Sequence, residues 1–255
     1  MRKAWLAAGV ITAAMATSGC VIVVGDDDGS KMFHSTRDAD GFTVLDRNGD
    51  YSRIGGDMDL RGHVGGDVSL ISGDVDMDDM DIGGELSIAA GDVDFTGRVQ
   101  GEASIAGGDV YWSGYAGRDL SIAAGSLLVE GVVERDGSFA AADMRINAEI
   151  RGELRAQADD MFVGADVSGP TRLVAADDIR RSRRNDPEHG RIELAGHLSQ
   201  GGEVCTRTLI IGPDARIDGT LHVWAESDPV IASGARVNDL RFEARDGRDC
   251  DDILD

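Results

Sequence analysis

The feature that most constrains this chain is a repeat of 17 residues running through its middle. Cut from Asn48, successive blocks begin at residues 48, 65, 83, 100, 117, 134 and 151, and the second carries one extra residue near Asp79. An eighth begins at Ser168, is interrupted by DDIRRSRRNDPEHGR, and resumes as RIELAGHL at 191–198. A ninth is GGEVCTRTLIIGPDARI at 201–217, and a tenth, longer block runs from Asp218 to Val237. Apolar residues alternate within a block. Positions 4 and 6 carry Val68 and Leu70, Leu86 and Ile88, Leu120 and Ile122; positions 11, 13 and 17 carry Val93, Phe95 and Val99, then Leu127, Val129 and Val133. Period two is the strand signature, because successive side chains point to opposite faces. Gly and Ala fill positions 2, 8, 9 and 15, where the chain must bend. One such coil cannot bury its apolar side alone, whereas coil stacked on coil buries it and pairs every strand above and below. The expectation is an all-β protein, a single-stranded parallel β-solenoid (β-helix) of about ten coils, its handedness not legible from the sequence. Helices compete poorly, because Gly interrupts each half-block and no i, i+3, i+4, i+7 stripe persists.

The ends of the chain read differently. Arg2 and Lys3, an Ala-rich apolar stretch over 4–16 and small residues leading to Cys20 have the layout of an export signal. Ser18, Gly19 and Cys20 resemble the end of a bacterial lipoprotein signal, which implies acylation of Cys20 and, with Val21 next to it, an outer-membrane destination. Cleavage at Ala14-Met15-Ala16, giving a secreted protein, and an uncleaved anchor prolonged by Val21–Val24 stay open beside it. All three place the body outside the cytoplasm. Cys205 and Cys250 are then an even pair in an oxidising compartment, where a disulfide forms readily, with two free thiols as the alternative. The expected organisation is a signal peptide over 1–19, a lipid anchor and linker over 20–47, a solenoid over 48–240 with an inserted loop at 178–190, and an acidic tail over 241–255. The first coil, Asn48–Val64, is more polar than the rest and puts Arg53 at a core position, as a cap would.

The 17-residue coil, the recurring GDV and GEL openings and the segment IGPDARIDGTLHV at 211–223 resemble the bactofilins, or polymer-forming cytoskeletal proteins, over roughly residues 48–240. That resemblance implies a right-handed β-helix that polymerises through its ends without nucleotide. The coils also look like the solenoids of exported adhesin-like proteins.

Stacking turns each outward position into a column. Position 3 is acidic in Asp50, Asp67, Glu85, Glu102, Asp119, Asp136 and Glu153, and position 10 in Asp57, Asp74, Asp92, Asp109, Asp143 and Asp160. Each carboxylate could accept a backbone N–H at its bend, or the column could form a Ca²⁺ ladder, since clustered carboxylates suit that ion. The calcium-binding GGxGxD repeat is absent, and the run Asp46, Asn48, Asp50 lacks the Gly and Glu that complete an EF-hand loop. No other cofactor is implied. Position 5 is Ser in six successive blocks, Ser52 to Ser138, with no recurring His or Lys beside it to activate a nucleophile. Outward positions also gather Tyr111, Leu128 and Phe162 in one column and Tyr115 and Val132 in another, an apolar patch suited to contact with a partner. Arg180, Arg181, Arg183 and Arg184 form the one dense basic cluster, suited to an anionic envelope component.

Composition narrows the function classes. With 25 basic against 47 acidic residues and a net charge of −22, the chain repels nucleic acid. It has no strict Gly at every third residue, which excludes collagen, and no apolar run after residue 24 reaches the ~18 residues of a spanning helix. His197 and His222 are isolated, and the acids are spread evenly rather than clustered as in polysaccharide-active β-helices. The reading from sequence is a non-catalytic envelope lipoprotein, held to a membrane by its lipid, that scaffolds or self-associates; an adhesin-like or cation-binding module is the alternative, and a polysaccharide-active enzyme comes after it.

Overall fold

In the computed structural model, which describes residues 36–175 and 190–254, nearly every element is a strand. The strands join one continuous sheet, and apart from a hairpin at its start all pairings are parallel. The chain coils into a β-solenoid of about 11 turns, one more than the blocks counted in the sequence, because a further rung follows Val237 within the strand Arg236–Ala244.

Register is what makes the coils a rod. Asp109–Ala116 pairs residue for residue with Asp92–Val99 on one side and Ser126–Val133 on the other, so that Val93, Val110 and Leu127 lie directly over one another, as do Phe95, Trp112 and Val129. Positions 4, 6, 11, 13 and 17 point inward and form one hydrophobic interior. Large and small side chains share its rungs. Trp112 stacks on Phe95 at 4.3 Å between ring centroids, and the same block carries alanine, Ala103 and Ala116, at the inward positions 4 and 17. Gly137 leaves a gap that the ring of Phe139 fills. Such interlocking is what close packing requires of an interior with no room to relax.

The chain turns a corner at position 15. Along Asp92–Val99 and Ser126–Val133 the buried residues fall at positions 11, 13 and 17, so the inward parity is kept through the corner, as it is in Asp143–Ile150, where Ala148 at position 15 is buried too. Glycine makes this corner: Gly62, Gly97 and Gly131 have φ of 113°, 138° and 99°. A Cβ on Gly131 would also run into the carbonyl oxygen of Gly114 in the coil beneath.

Irregularities are pushed outside the interior. The extra residue of the second block is absorbed by Asp78 and Asp79, Asp79 adopting φ 50°, and the register resumes at Met80. The interruption of the eighth block leaves its rung intact. Thr171–Ala175 stacks on Leu154–Ala158, and Arg191–Leu194 stacks on Asp160–Val163 although 31 residues separate each aligned pair.

The boundaries differ from those expected at both ends. Thr36–Arg37 and Thr43–Arg47 form an antiparallel pair within the stretch read as linker, and Thr43–Arg47 lies over the strand Met58–Val64. Phe42 packs under the Arg61 guanidinium at 4.3 Å, and Arg61 bridges Asp38 and Asp78. This hairpin covers part of the first coil. Arg53, read as a core residue, is instead exposed, because the strand Tyr51–Ile54 has a neighbour on one side only. At the other end, the stretch read as a tail contributes the last strand and the helix Cys250–Leu254, which folds back along the rod. There Arg172 donates to the Leu254 carbonyl at 2.7 Å, and Cys205 and Cys250 are joined in a disulfide.

The corner glycine gives a direct test of stacking. Gly131→Val forces a β-branched residue into a positive φ and against the backbone below, so the variant should lose about 3–5 kcal/mol of stability, read as a lower midpoint in thermal unfolding followed by circular dichroism.

Candidate functional site

The two acidic columns have a structural occupation. At position 3, the Oδ1 atoms of Asp50, Asp67, Asp119 and Asp136 accept the backbone N–H of Asp67, Glu85, Asp136 and Glu153 in the next coil, at 3.0, 2.9, 3.1 and 2.8 Å. At position 10, Asp57, Asp74, Asp92 and Asp160 do the same for Asp74, Asp92, Asp109 and Arg191, at 3.3, 3.2, 3.3 and 3.1 Å. At these eight entries into strands the parallel ladder leaves an N–H unclaimed, and a short carboxylate one rung below reaches it, whereas Ser126, Asp143 and Asp160 donate to backbone carbonyls. Among the described residues no cluster of three or more His, Cys, Asp or Glu side chains is arranged to hold a metal ion. Glu102 has its pKa raised, first by burial and then by Asp119 and Glu85.

A groove of about 1170 Å³ runs along one face, between the column at position 10 and the column at position 12. Register places Asp59, Asp76, Asp94, Tyr111, Leu128, Arg145, Phe162, Glu193 and Ile210 one above the next in that second column. Nine rungs at ~4.8 Å make a track about 38 Å long. The structure thus brings Tyr111, Leu128 and Phe162 together as their spacing predicted, and all three are half-buried. Tyr115 and Val132 form the neighbouring column.

Sequence reasoning missed the partners of these residues. Arg145 sits 5.0 Å from the Phe162 ring centroid and Arg98 4.3 Å from that of Tyr115. The Tyr111 hydroxyl donates to Glu130 Oε2 at 3.1 Å. It also missed the acidic end of the track, although the same count of seventeen carried back from Tyr111 reaches it. Asp59, Asp76 and Asp94 make no hydrogen bond or ion pair with the described residues. Burial, followed by the charges of Asp94, Asp59 and Asp78, raises the pKa of Asp76 against the opposing pull of Arg61. Burial, followed by Asp78, raises that of Asp94.

Elsewhere, the serine column stacks in register from Ser52 to Ser138 and then runs into Arg155. His197 bonds Asp218 at 2.8 Å, and that contact, followed by Arg216, lowers the aspartate's pKa. His222 stacks on Trp224. Cys20 and the cluster Arg180, Arg181, Arg183 and Arg184 lie outside the described residues. No protein-family model, curated protein or solved structure matches the chain.

The raised pKa of Asp76 and of Asp94 has a definite sign. A carboxyl whose pKa is higher folded than unfolded binds more protons in the native state, so it destabilises the fold at pH values above its folded pKa. That penalty fades as pH falls toward the ordinary aspartate value of about 3.9. Asp94→Asn should therefore raise the thermal midpoint at pH 7, with the gain shrinking as the melt is repeated toward pH 4.

Proposed function

We propose that this protein is a non-catalytic structural component of the cell envelope, a lipid-anchored rod that associates end to end. The observation that carries this reading is where apolar surface is left uncovered. The large hydrophobic side chains exposed among the described residues are Ile54 (54%), Ile71 (47%), Val230 (58%) and Ile231 (48%), and they belong to the first two and the last coils. Both ends also present strand edges without a neighbour: Tyr51–Ile54 pairs only forward, and Val230–Ile231 and Arg236–Ala244 pair only backward. An open parallel edge is a template for another strand. A solenoid that stays monomeric covers its ends with a polar cap, and here the hairpin reaches only part of one end. The likeness of the repeat to the bactofilins supports end-to-end polymers without nucleotide. The export signal and the Cys205–Cys250 disulfide support an oxidising compartment. A cation-binding module fits less well, because the acidic columns already serve the backbone.

Two measurements test this reading. Electron microscopy of the purified chain without nucleotide or metal should show ordered polymers one solenoid wide, and Ile54→Lys with Ile231→Lys should abolish them while the strand signal in circular dichroism persists; single rods at every concentration would refute assembly. Cys20→Ala should move the protein from the membrane fraction to the soluble fraction, and an unchanged distribution would refute the lipid anchor.

A further inference from the structure

We infer that the groove between positions 10 and 12 is a docking track for an extended cationic amphipathic polypeptide segment, with Lys or Arg side chains at its acidic end and aliphatic side chains at its apolar end. The inference does not depend on end-to-end assembly, since the track lies along the side of the rod. Three observations converge on this occupant.

The first is shape. The groove is continuous over nine rungs, about 38 Å, which is the length of ~11–12 residues in extended conformation. The second is polarity. At one end, carboxylates line both walls: Asp57, Asp74 and Asp92 at position 10 face Asp59, Asp76 and Asp94 at position 12. Beyond Asp94 the second wall becomes Tyr111, Leu128 and, past Arg145, Phe162, while the first wall keeps Asp109, Asp143 and Asp160 with Ser126 between the first two; the last two rungs close the groove with Arg191 and Thr208 on the first wall and Glu193 and Ile210 on the second. A complementary chain therefore carries positive charge throughout one end, and along one edge only at the other. The third is the state of the acids. At the acidic end Asp57, Asp74 and Asp92 each spend one oxygen on the backbone, whereas Asp59, Asp76 and Asp94 make no hydrogen bond or ion pair among the described residues. They stack one strand spacing apart, where like charges repel unless something neutralises them. Ammonium and guanidinium groups of a docked chain would do so.

Other ligand chemistries suit the walls less well. Nucleic acid and acidic glycans are repelled by the carboxylates. Stacking of neutral sugars needs a run of open aromatic faces, and the groove has only Tyr111 and Phe162 among the described residues, the latter already under Arg145.

The test uses the full-length chain in detergent and the fluorescein-labelled dodecapeptide (Lys-Thr)₃(Val-Thr)₃, with binding read by fluorescence anisotropy. Binding that weakens with added salt is expected. The triple variant Asp59→Asn, Asp76→Asn, Asp94→Asn should weaken it about tenfold, as three exposed charge pairs at roughly twofold each would give. That variant loses repulsion rather than structure, so its thermal midpoint should not fall, which separates lost docking from lost folding. A control triple on other surfaces, Asp228→Asn, Asp246→Asn, Asp249→Asn, should bind as the parent does, and Leu128→Asp should weaken the peptide without affecting (Lys-Thr)₆ to the same degree. Equal losses in the two triples would reduce the effect to net charge and overturn the proposal. So would equal binding of (Glu-Thr)₃(Val-Thr)₃, or displacement of the peptide by a neutral oligosaccharide.

Discussion

The whole structure rests on one constraint: each rung must offer the next an identical backbone path, so that a parallel hydrogen-bond ladder closes on every side of the coil. Parallel ladders have evenly spaced bonds and tolerate no local slip. A one-residue shift would turn a strand's core side chains to solvent. Every irregularity is therefore expelled to a bend. The extra residue beside Met80 becomes a bulge at Asp79 with positive φ, and the long interruption between Ala175 and Gly190 leaves Arg191 seated over Asp160. The corner glycines follow from the same demand, because each must turn under the carbonyl of the coil before it.

The constraint also dictates the surface. An outward residue type repeated at one position becomes a column at strand spacing whether or not its members attract. For most of the aspartates at positions 3 and 10 the conflict is eased within the fold, since each bonded carboxylate takes up an N–H of the rung that follows. For Asp59, Asp76 and Asp94 it is not resolved, and Asp76 and Asp94, partly buried as well as close to like charge, hold their protons more tightly. Groups left in this condition along a groove are a natural place for a partner to contribute what the fold lacks. The ends pose the complementary problem. A ladder has no internal reason to stop, so the first and last rungs carry open edges and exposed aliphatic side chains.

Much of the fold was legible because the repeat writes the same physics many times. Alternation at positions 4 and 6 and at 11 and 13 gave the strands, and glycine at the bends gave the coil. The column of Tyr111, Leu128 and Phe162 followed from counting, and the structure places them one above another with Arg145 between Leu128 and Phe162. Where the repeat frays the reading frayed with it. The hairpin of Thr36–Arg37 with Thr43–Arg47 has no internal copy to mark it. Arg53 looked inward because its alternation says so, and is exposed because no coil lies beyond it.

From the sequence alone came the rung, its length, its inward set and the existence of charged columns, because these depend on residue types at fixed separations along the chain. The tertiary structure alone decided which N–H each carboxylate serves, that Cys205 meets Cys250 at a Cα separation of 5.7 Å, and that an acidic run and an aromatic run are two ends of one groove. Those are matters of which atoms approach across coils, and a linear spacing carries no information about distance until the coils are stacked.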